Sequence, residues 1–460
     1  MTTIAESSTR ENSTRENTVP GTTIPEICEA MQRVLTIRAE ELARPTGFVE
    51  RKSKLSASVF AKTLVFGWLQ VPQASLSKLA QVAAALGVQI SPQGIDERFT
   101  SEAAELLRKL LDAAAIELVA TDPVAISILR RFTAVLVDDS STLSLPDELA
   151  TVWQGTGERT GHNQAALKLE LRQDLLSGRL QGPFLESGRT QDRRSFLQKL
   201  KVPTKALRLS DLGYFGLEVL AAEDAAGSYW LSRLQVQTAV FDAEGQRWEV
   251  GQLLASQSAD TVDMQVTLGV DRRLPARLLA ARVPPEVTAE RRRKLIAEAS
   301  HKGQMVSKAR LALADWTILV TNTPVELLSV EDALVIARVR WQIELLFKLW
   351  KSDGQIDTSR SHKAWRILCE MYAKLLAMTI QNWLLILGCW DHPDRSLTKA
   401  AAAVRANVAV LLVALAGYLP LATAVGWILN IIQTTSHMNT RKKEPNAYQL
   451  LQALDQGGLA

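Results

Sequence analysis

Three acidic residues that lie far apart in the chain occupy one kind of position. Asp139, Asp211 and Glu344 each occur at the end, or on the exposed face, of a segment whose other residues are largely apolar. Three carboxylates without a histidine or cysteine cluster suit hard divalent cations, which prefer oxygen ligands. Two such ions can activate an attacking oxygen and stabilise a leaving one in displacement at a phosphodiester. An acid at a strand end is also a common turn former or helix cap, so this chemistry requires the fold to bring the three together.

The residues around Glu344 predict one amphipathic helix from Ile336 to Lys351. At about 100° per residue, Arg340, Glu344 and Lys351 fall on one face, beside an apolar stripe suited to burial. Arg340 and Lys351 are then placed to contact DNA phosphates next to the carboxylates. The alternative interpretation is a solvated helix with an ordinary Arg–Glu pair four residues apart.

The other two acids follow short apolar strands. Residues 133–137 form a β-branched run that leads to Asp138 and Asp139, and residues 206–210 alternate as a strand that leads to Asp211. Because successive side chains of a strand point to opposite faces, Asp138 and Asp139 cannot both face one site if the strand continues. Asp139 shares its face with the apolar residues of the strand, so we select it as the ligand and keep Asp138 as the second option.

Composition limits the class of protein. A chain of 460 residues with 47% hydrophobic and 22% charged residues has room for several domains and a large core. A formal net charge of +4 does not by itself indicate a nucleic-acid partner, which requires local basic patches. The three cysteines are too few and too scattered for a disulfide framework or a zinc motif, which fits a reducing, cytoplasmic setting. Residues 1–23 are polar and predict a disordered tail rather than a signal peptide.

Helical regions are predicted on both sides of the acids. Within residues 24–125, a helix that ends at Gly87 and a second one that begins at Ser91 have the spacing of a helix-turn-helix, although a plain helical bundle has the same pattern. Lys78 and Arg98 are the candidate DNA contacts there.

The C-terminal residues 386–460 are also predicted to be helical. Within them, residues 406–436 carry no charge and are long enough to span a bilayer. Gly417, Pro420 and the polar residues of this stretch favour buried helices over a membrane span.

The order of the segments predicts an α/β fold. Its core comprises residues 126–227 and 311–385, and a turn-rich, mainly β insertion at residues 228–310 separates the two parts. The insertion includes a basic helix around residues 288–296. A buried strand at residues 316–322 returns the chain to the core before the helix that carries Glu344.

Several short motifs then resemble one family. R-W-Q-I-E-L-L-F-K-L-W-K (340–351) resembles the signature helix Y-x2-R-x3-E-x6-K of the insertion-sequence-4 family of DDE transposases, and D-S-S-T-L-S-L-P (139–146) and D-L-G-Y-F (211–215) resemble its first and second acidic motifs. The resemblance extends through G-T-G (155–157), A-A-L-K (165–168) and W-T-I-L-V-T-N (316–322), roughly residues 50–385. Ala337 occupies the position of the signature tyrosine.

The resemblance implies an RNase H-like catalytic core in which Asp139, Asp211 and Glu344 hold two Mg²⁺ (or Mn²⁺) ions. Arg340 and Lys351 match the residues of the signature that contact DNA phosphate, and two residues of the same helix, Trp341 and Lys348, are further candidate DNA contacts. The implied substrates are terminal inverted repeats and target DNA, held by a homodimer in the cytoplasm at the nucleoid and away from membranes. Ala337 keeps open a catalytically impaired DNA-binding relative, and the same scaffold could serve a nuclease that cuts without joining.

Overall fold

The computed structural model describes most of the chain, namely residues 21–50, 54–157, 164–301, 303–392, 394–438, 449–451 and 453. The predicted disordered tail lies outside the described residues except for residues 21–23. The described residues between 24 and 115 form helices joined by short connections, with a π-helical segment at Arg33–Arg38. The helices are α1 (Ile24–Gln32), α2 (Ala39–Ala43), α3 (Ala57–Gln70), α4 (Leu76–Ala85), α5 (Pro92–Asp96) and α6 (Ser101–Ala115).

The α4–α5 turn has the predicted boundaries. Ser75 and Ser91 cap the two helices by accepting a hydrogen bond from a backbone N–H of the first turn. Gly87 follows α4 with a φ of +84°, a left-handed conformation that glycine adopts without strain. The sequence signals for helix ends therefore place this turn correctly.

All described strands belong to a single ten-stranded sheet. Its strands are β1 (Val135–Leu145), β2 (Ala165–Asp174), β3 (Leu180–Ser187), β4 (Leu207–Ser210), β5 (Tyr229–Arg233), β6 (Val240–Phe241), β7 (Arg247–Trp248), β8 (Thr261–Leu268), β9 (Leu274–Arg282) and β10 (Trp316–Thr321). Their order is β3-β2-β1-β4-β5-β10-β9-β8-β6-β7. β4 is parallel to β1 and to β5, and the other neighbouring pairs are antiparallel.

Helices follow and cover the sheet. Those that interleave with the strands are α7 (Leu217–Ala225), α8 (Val250–Ala255), α9 (Pro285–His301), α10 (Lys308–Ala312), α11 (Val330–Val339) and α12 (Gln342–Ser352). The C-terminal ones are α13 (Ala364–Cys389), α14 (Leu397–Ala406), α15 (Val408–Leu415) and α16 (Leu421–Thr435). The protein is thus a mixed α/β protein with a large central sheet and helical N- and C-terminal regions.

Two local predictions need correction. The helix predicted from Ile336 to Lys351 is interrupted: α11 ends at Val339 and α12 begins at Gln342. Between them the Trp341 N–H donates to the Arg338 carbonyl, a three-residue step that is tighter than the α-helical one. In addition, residues 250–255 of the predicted, mainly β insertion form helix α8, because the three buried apolar residues of this segment have helical spacing.

The uncharged stretch at residues 406–436 forms α15 and α16, separated by a turn at Gly417 and Pro420 and each burying one face. Among the described helices, α13 is long and apolar enough to cross a membrane, as are α14 and α15 when counted together across a 49° bend. Helix α13 is almost entirely buried against α3, α6, α14 and α16, as is typical of the core helix of a globular protein.

Candidate active site

The two aspartates lie side by side at the edge of two parallel strands. In the β1–β4 pair, Asp138 is in register with Ser210. Asp139 and Asp211, the next residue along each of the two segments, therefore lie side by side. β4 ends at Ser210, and Asp211 precedes a single 3₁₀ turn at Leu212–Tyr214. β1 continues to Leu145, which keeps Asp139 within the sheet. Parallel pairing therefore brings together two acids that are far apart in sequence.

Glu344 reaches the same place from helix α12, and one guanidinium joins all three acids. Arg340 Nη2 is 2.6 Å from Glu344 Oε1 and 4.0 Å from Asp211 Oδ1, and Arg340 Nη1 is 3.8 Å from Asp139 Oδ2. The contact with Glu344 is a hydrogen bond, whereas the other two are ion-pair distances. The structure thus places the three predicted acids around a single cationic group.

Exposure differs among the three carboxylates. The side chain of Asp139 is 16% exposed, against 46% for Asp211 and 39% for Glu344. Burial raises the pKa of Asp139 to about 6; the Ser140 N–H and Arg340 lower it, whereas Glu344 and Asp211 raise it further. Asp139 is therefore the deepest of the three acids and the one whose charge is least stable without a cation.

The donor set fits hard divalent cations. The three side chains offer only carboxylate oxygens, the ligands that hard cations prefer. The three carboxylates surround one position, which the positively charged guanidinium of Arg340 occupies. Within the described residues, no three His, Cys, Asp or Glu side chains lie close enough together to hold one ion in this arrangement. A bound cation would therefore require Arg340 to withdraw from between the acids.

The pKa of Asp139 predicts a pH dependence for the metal-free protein. Because the folded state binds this proton more tightly than the unfolded state, the free energy of unfolding should fall as pH rises from about 4 to above 6. A rise of the pKa from 3.8 to about 6 corresponds to about 3 kcal/mol. Asp139→Asn should remove this component. The check is urea unfolding of both proteins in EDTA at pH 4.5 and 7.5; a stability difference that does not change with pH would contradict it.

Asp138, the second option for the ligand, lies on the opposite face of β1 and is fully buried. Arg172 Nε and Nη2 donate to its two carboxylate oxygens at 2.6 and 2.7 Å, and Arg208 Nε donates at 2.7 Å. Burial alone would raise the pKa of Asp138, but the two guanidinium groups hold it below its ordinary value. The predicted alternation of the two aspartates is confirmed, and Asp138 takes part in a separate buried ion network.

The predicted DNA contacts on α12 and its N-terminal side differ in exposure. Lys348 and Trp341 are exposed, and the Trp341 side chain lies in the turn between α11 and α12. Lys351 is half-buried and its Nζ donates to the Thr142 carbonyl of β1 at 3.2 Å. Lys348 and Lys351 thus lie on the same helix as Glu344, and Trp341 directly precedes it.

The two candidate contacts of the N-terminal region are unlike each other. Lys78 lies on α4 and is half-buried. Arg98 packs inward: its guanidinium lies 4.3 Å from the ring centre of Phe48 and donates to the Phe48 carbonyl at 3.2 Å. Burial lowers the pKa of Arg98. In this structure the guanidinium of Arg98 therefore serves packing of the helical region, and its role in DNA contact stays a prediction.

The prediction missed a cluster that touches the site from the other face of the sheet, formed by Ser140, Lys168 and Asp192. The Asp192 carboxylate accepts hydrogen bonds from Lys168 Nζ at 2.7 Å and from Ser140 Oγ at 3.0 Å. The signal was the alternation of Lys168, Glu170 and Arg172 with leucines in β2, because charged residues on an internal strand require partners.

The chain is similar in sequence to known transposases. The family described as transposase DDE domain matches residues 130–380, more than half of the chain. The chain is 30% identical to the transposase for insertion sequence element IS231C of Bacillus thuringiensis subsp. berliner, over 74% of this chain and 75% of the relative. It is 24% identical to the transposase for insertion sequence element IS1151 of Clostridium perfringens, over 75% and 77%. The matched region contains both aspartates and Glu344, and the chain belongs to the DDE transposase family and is a DNA transposase.

Proposed function

We propose that this transposase binds the terminal inverted repeats of an insertion sequence, cleaves at the element ends and joins them to target DNA. In this proposal Asp139, Asp211 and Glu344 are the catalytic, metal-binding residues. The observation that carries the proposal is the convergence of these three side chains on the guanidinium of Arg340. The signature helix also favours assignment to the insertion-sequence-4 family.

The fold supports an RNase H-like core for this chemistry. We assign that core to strands β3-β2-β1-β4-β5 and β10 with the helix that carries Glu344, and the strands from β6 to β9 to the inserted β segment. β5, at residues 229–233 in the stretch predicted as insertion, pairs with β4 and β10 and so joins the core, and the insertion extends the same sheet through the pairing of β9 with β10. Residues 24–125 would read the repeats, and residues 386–460 would support a homodimer on the paired ends.

In this proposal the three carboxylates bind the metal ions and Arg340 binds DNA. Two divalent ions, Mg²⁺ or Mn²⁺, held by the three carboxylates would supply activation of the attacking oxygen and stabilisation of the leaving one. Asp139 must be ionised to serve as a ligand, and the neighbouring Ser140 N–H holds its Oδ1 at 2.9 Å. Arg340, released from the acids, is placed to bind a backbone phosphate through its paired N–H groups.

Lys351 provides a test of the DNA-binding surface. Lys351→Ala should weaken binding of element-end DNA and reduce the slope of log K against log [salt] by about 0.9, the contribution of one phosphate contact. The measurement is fluorescence anisotropy with a labelled end duplex in EDTA at several salt concentrations. Lys109→Ala is the control, because Lys109 on α6 pairs with Glu105 on its own helix. An unchanged slope for Lys351→Ala would show that Lys351 makes no phosphate contact.

The function itself is tested with purified protein and a duplex carrying an inverted repeat from the borders of the element, in Mg²⁺ or EDTA. A Mg²⁺-dependent cut at the end followed by joining to a target plasmid supports the proposal. Cutting without joining would instead indicate a nuclease on the same scaffold. Binding without cutting would indicate a catalytically impaired relative, and Ala337→Tyr, which restores the signature tyrosine on α11, would then be the variant to assay.

The proposed setting is the cytoplasm, at the nucleoid, with DNA as the partner and no membrane. The burial of α13 and the division of residues 406–436 into two half-buried helices support this setting. Extraction of the expressed protein without detergent would test it.

A further inference from the structure

Asp192 connects the two segments that carry the aspartates of the site. Its Oδ1 accepts a hydrogen bond from Ser140 Oγ at 3.0 Å, and Ser140 directly follows Asp139. The backbone N–H of the same serine donates to Asp139 Oδ1 at 2.9 Å. One residue thus binds Asp139 through its N–H and Asp192 through its hydroxyl.

Asp192 also contacts the segment after β4. Its other oxygen, Oδ2, lies so close to Gly213 that a Cβ at that position would overlap it. Gly213 is two residues beyond Asp211, in the 3₁₀ turn that follows it. The close approach accounts for glycine at this position, since any side chain would displace either the turn or the carboxylate.

Lys168 holds the carboxylate in place. Its Nζ is 2.7 Å from Asp192 Oδ1 and also donates to the Thr190 carbonyl. The Lys168 side chain is 8% exposed and that of Asp192 is 30% exposed. A largely buried ammonium group requires a partner, so the lysine fixes the position of Asp192 above the sheet. Lys168 belongs to the A-A-L-K motif of β2, to which the catalytic proposal gives no role.

We propose that Asp192 is a positioning residue for the transposition reaction, which fixes Asp139 and Asp211 relative to each other for the binding of divalent ions. It acts from the opposite face of the sheet, through Ser140 on β1 and Gly213 after β4, and Lys168 anchors it. The inference rests on the proposed function, because it takes these two aspartates as ligands. Groups that orient ligands typically change metal affinity by about 10–100-fold.

Binding of Mn²⁺ alone to the full-length protein tests the proposal, measured as free Mn²⁺ by electron paramagnetic resonance. Asp192→Ala should weaken Mn²⁺ binding about tenfold or more. Ser140→Ala removes only the link to β1 and keeps the Lys168–Asp192 pair, so it preserves the fold; it should weaken Mn²⁺ binding by more than twofold. The double variant should bind no more weakly than Asp192→Ala, because both changes break one connection.

A matched control separates positioning from loss of stability. Asp263 and Arg277 form an ion pair between β8 and β9 with exposed fractions of 30% and 5%, close to those of Asp192 and Lys168. β8 is four strands away from β4, roughly 20 Å at the usual strand spacing. Asp263→Ala should therefore lower the unfolding temperature and leave Mn²⁺ binding unchanged.

The results that overturn the proposal are distinct. If Ser140→Ala and Asp192→Ala both fold and bind Mn²⁺ within twofold of the wild type, Asp192 does not position the ligands. If Asp192→Ala does not fold, Ser140→Ala alone decides by the same twofold limit. Failure of the proposed function looks different: Glu344→Ala would then bind Mn²⁺ as tightly as the wild type, and the inference would fall with the triad.

Discussion

Glu344→Gln is expected to lower the rate of end cleavage roughly a thousandfold or more, because losing one ligand removes several kcal/mol of transition-state stabilisation. The substitution keeps the volume of the side chain and its position on α12. Asp139 and Asp211 would still face Arg340, so the fold and the binding of end DNA should change little. The measurement is the single-turnover rate of Mg²⁺-dependent cleavage, with binding followed separately in EDTA.

Glu331→Gln is the matched control for this substitution. Glu331 is an exposed glutamate in the first turn of α11, the helix that precedes α12, and it has no contact with the three acids among the ion pairs and hydrogen bonds of the described residues. The Glu331→Gln protein should cleave end DNA at the wild-type rate. Cleavage by Glu344→Gln within tenfold of the wild type would show that Glu344 is not a metal ligand.

The three acids could be located from the sequence because each follows from a local rule. Strand patterns place Asp139 and Asp211 at or beyond apolar runs, and helical spacing places Arg340 beside Glu344. The parallel pairing of β1 and β4, which brings the two aspartates together, is a non-local property that local patterns do not show; from the sequence alone, the family resemblance is the ground for expecting the three acids to share one site. The interruption of the signature helix at Trp341 could not be predicted locally, because neither proline nor glycine occurs in this segment.

The polar layer behind β1 could not be predicted in the same way. Asp138 is paired with Arg172 and Arg208, which are 34 and 70 residues away. Alternation along β2 shows that Lys168, Glu170 and Arg172 share one face of the sheet, but it does not show that residues 196–201 pack against that face. Arg172 donates to the carbonyls of Leu197 and Leu200, which holds this segment against the sheet. The usual reading of an alternating strand, with its polar face in water, is wrong for β2.

The buried network around Asp138 is expected to contribute strongly to stability. Asp138→Ala should lower the free energy of unfolding by about 3–5 kcal/mol, because it leaves the buried guanidinium groups of Arg172 and Arg208 without their shared carboxylate. Arg208 would keep Glu223 and Gln198 as partners, whereas Arg172 would keep only backbone carbonyls. Urea unfolding followed by tryptophan fluorescence at pH 7.5 measures the change.

Asp139→Asn is the control, because it changes the adjacent aspartate on the opposite face of the same strand. Asp139 faces the opposite side of β1, and burial together with its acidic neighbours makes its charge costly at pH 7.5. Its replacement should therefore leave the metal-free protein as stable as the wild type or more stable, yet remove cleavage. Adjacent aspartates would then have separate roles, one in folding and one in chemistry. Equal losses of stability from the two substitutions would contradict the assignment of Asp138 to the buried network and of Asp139 to the site.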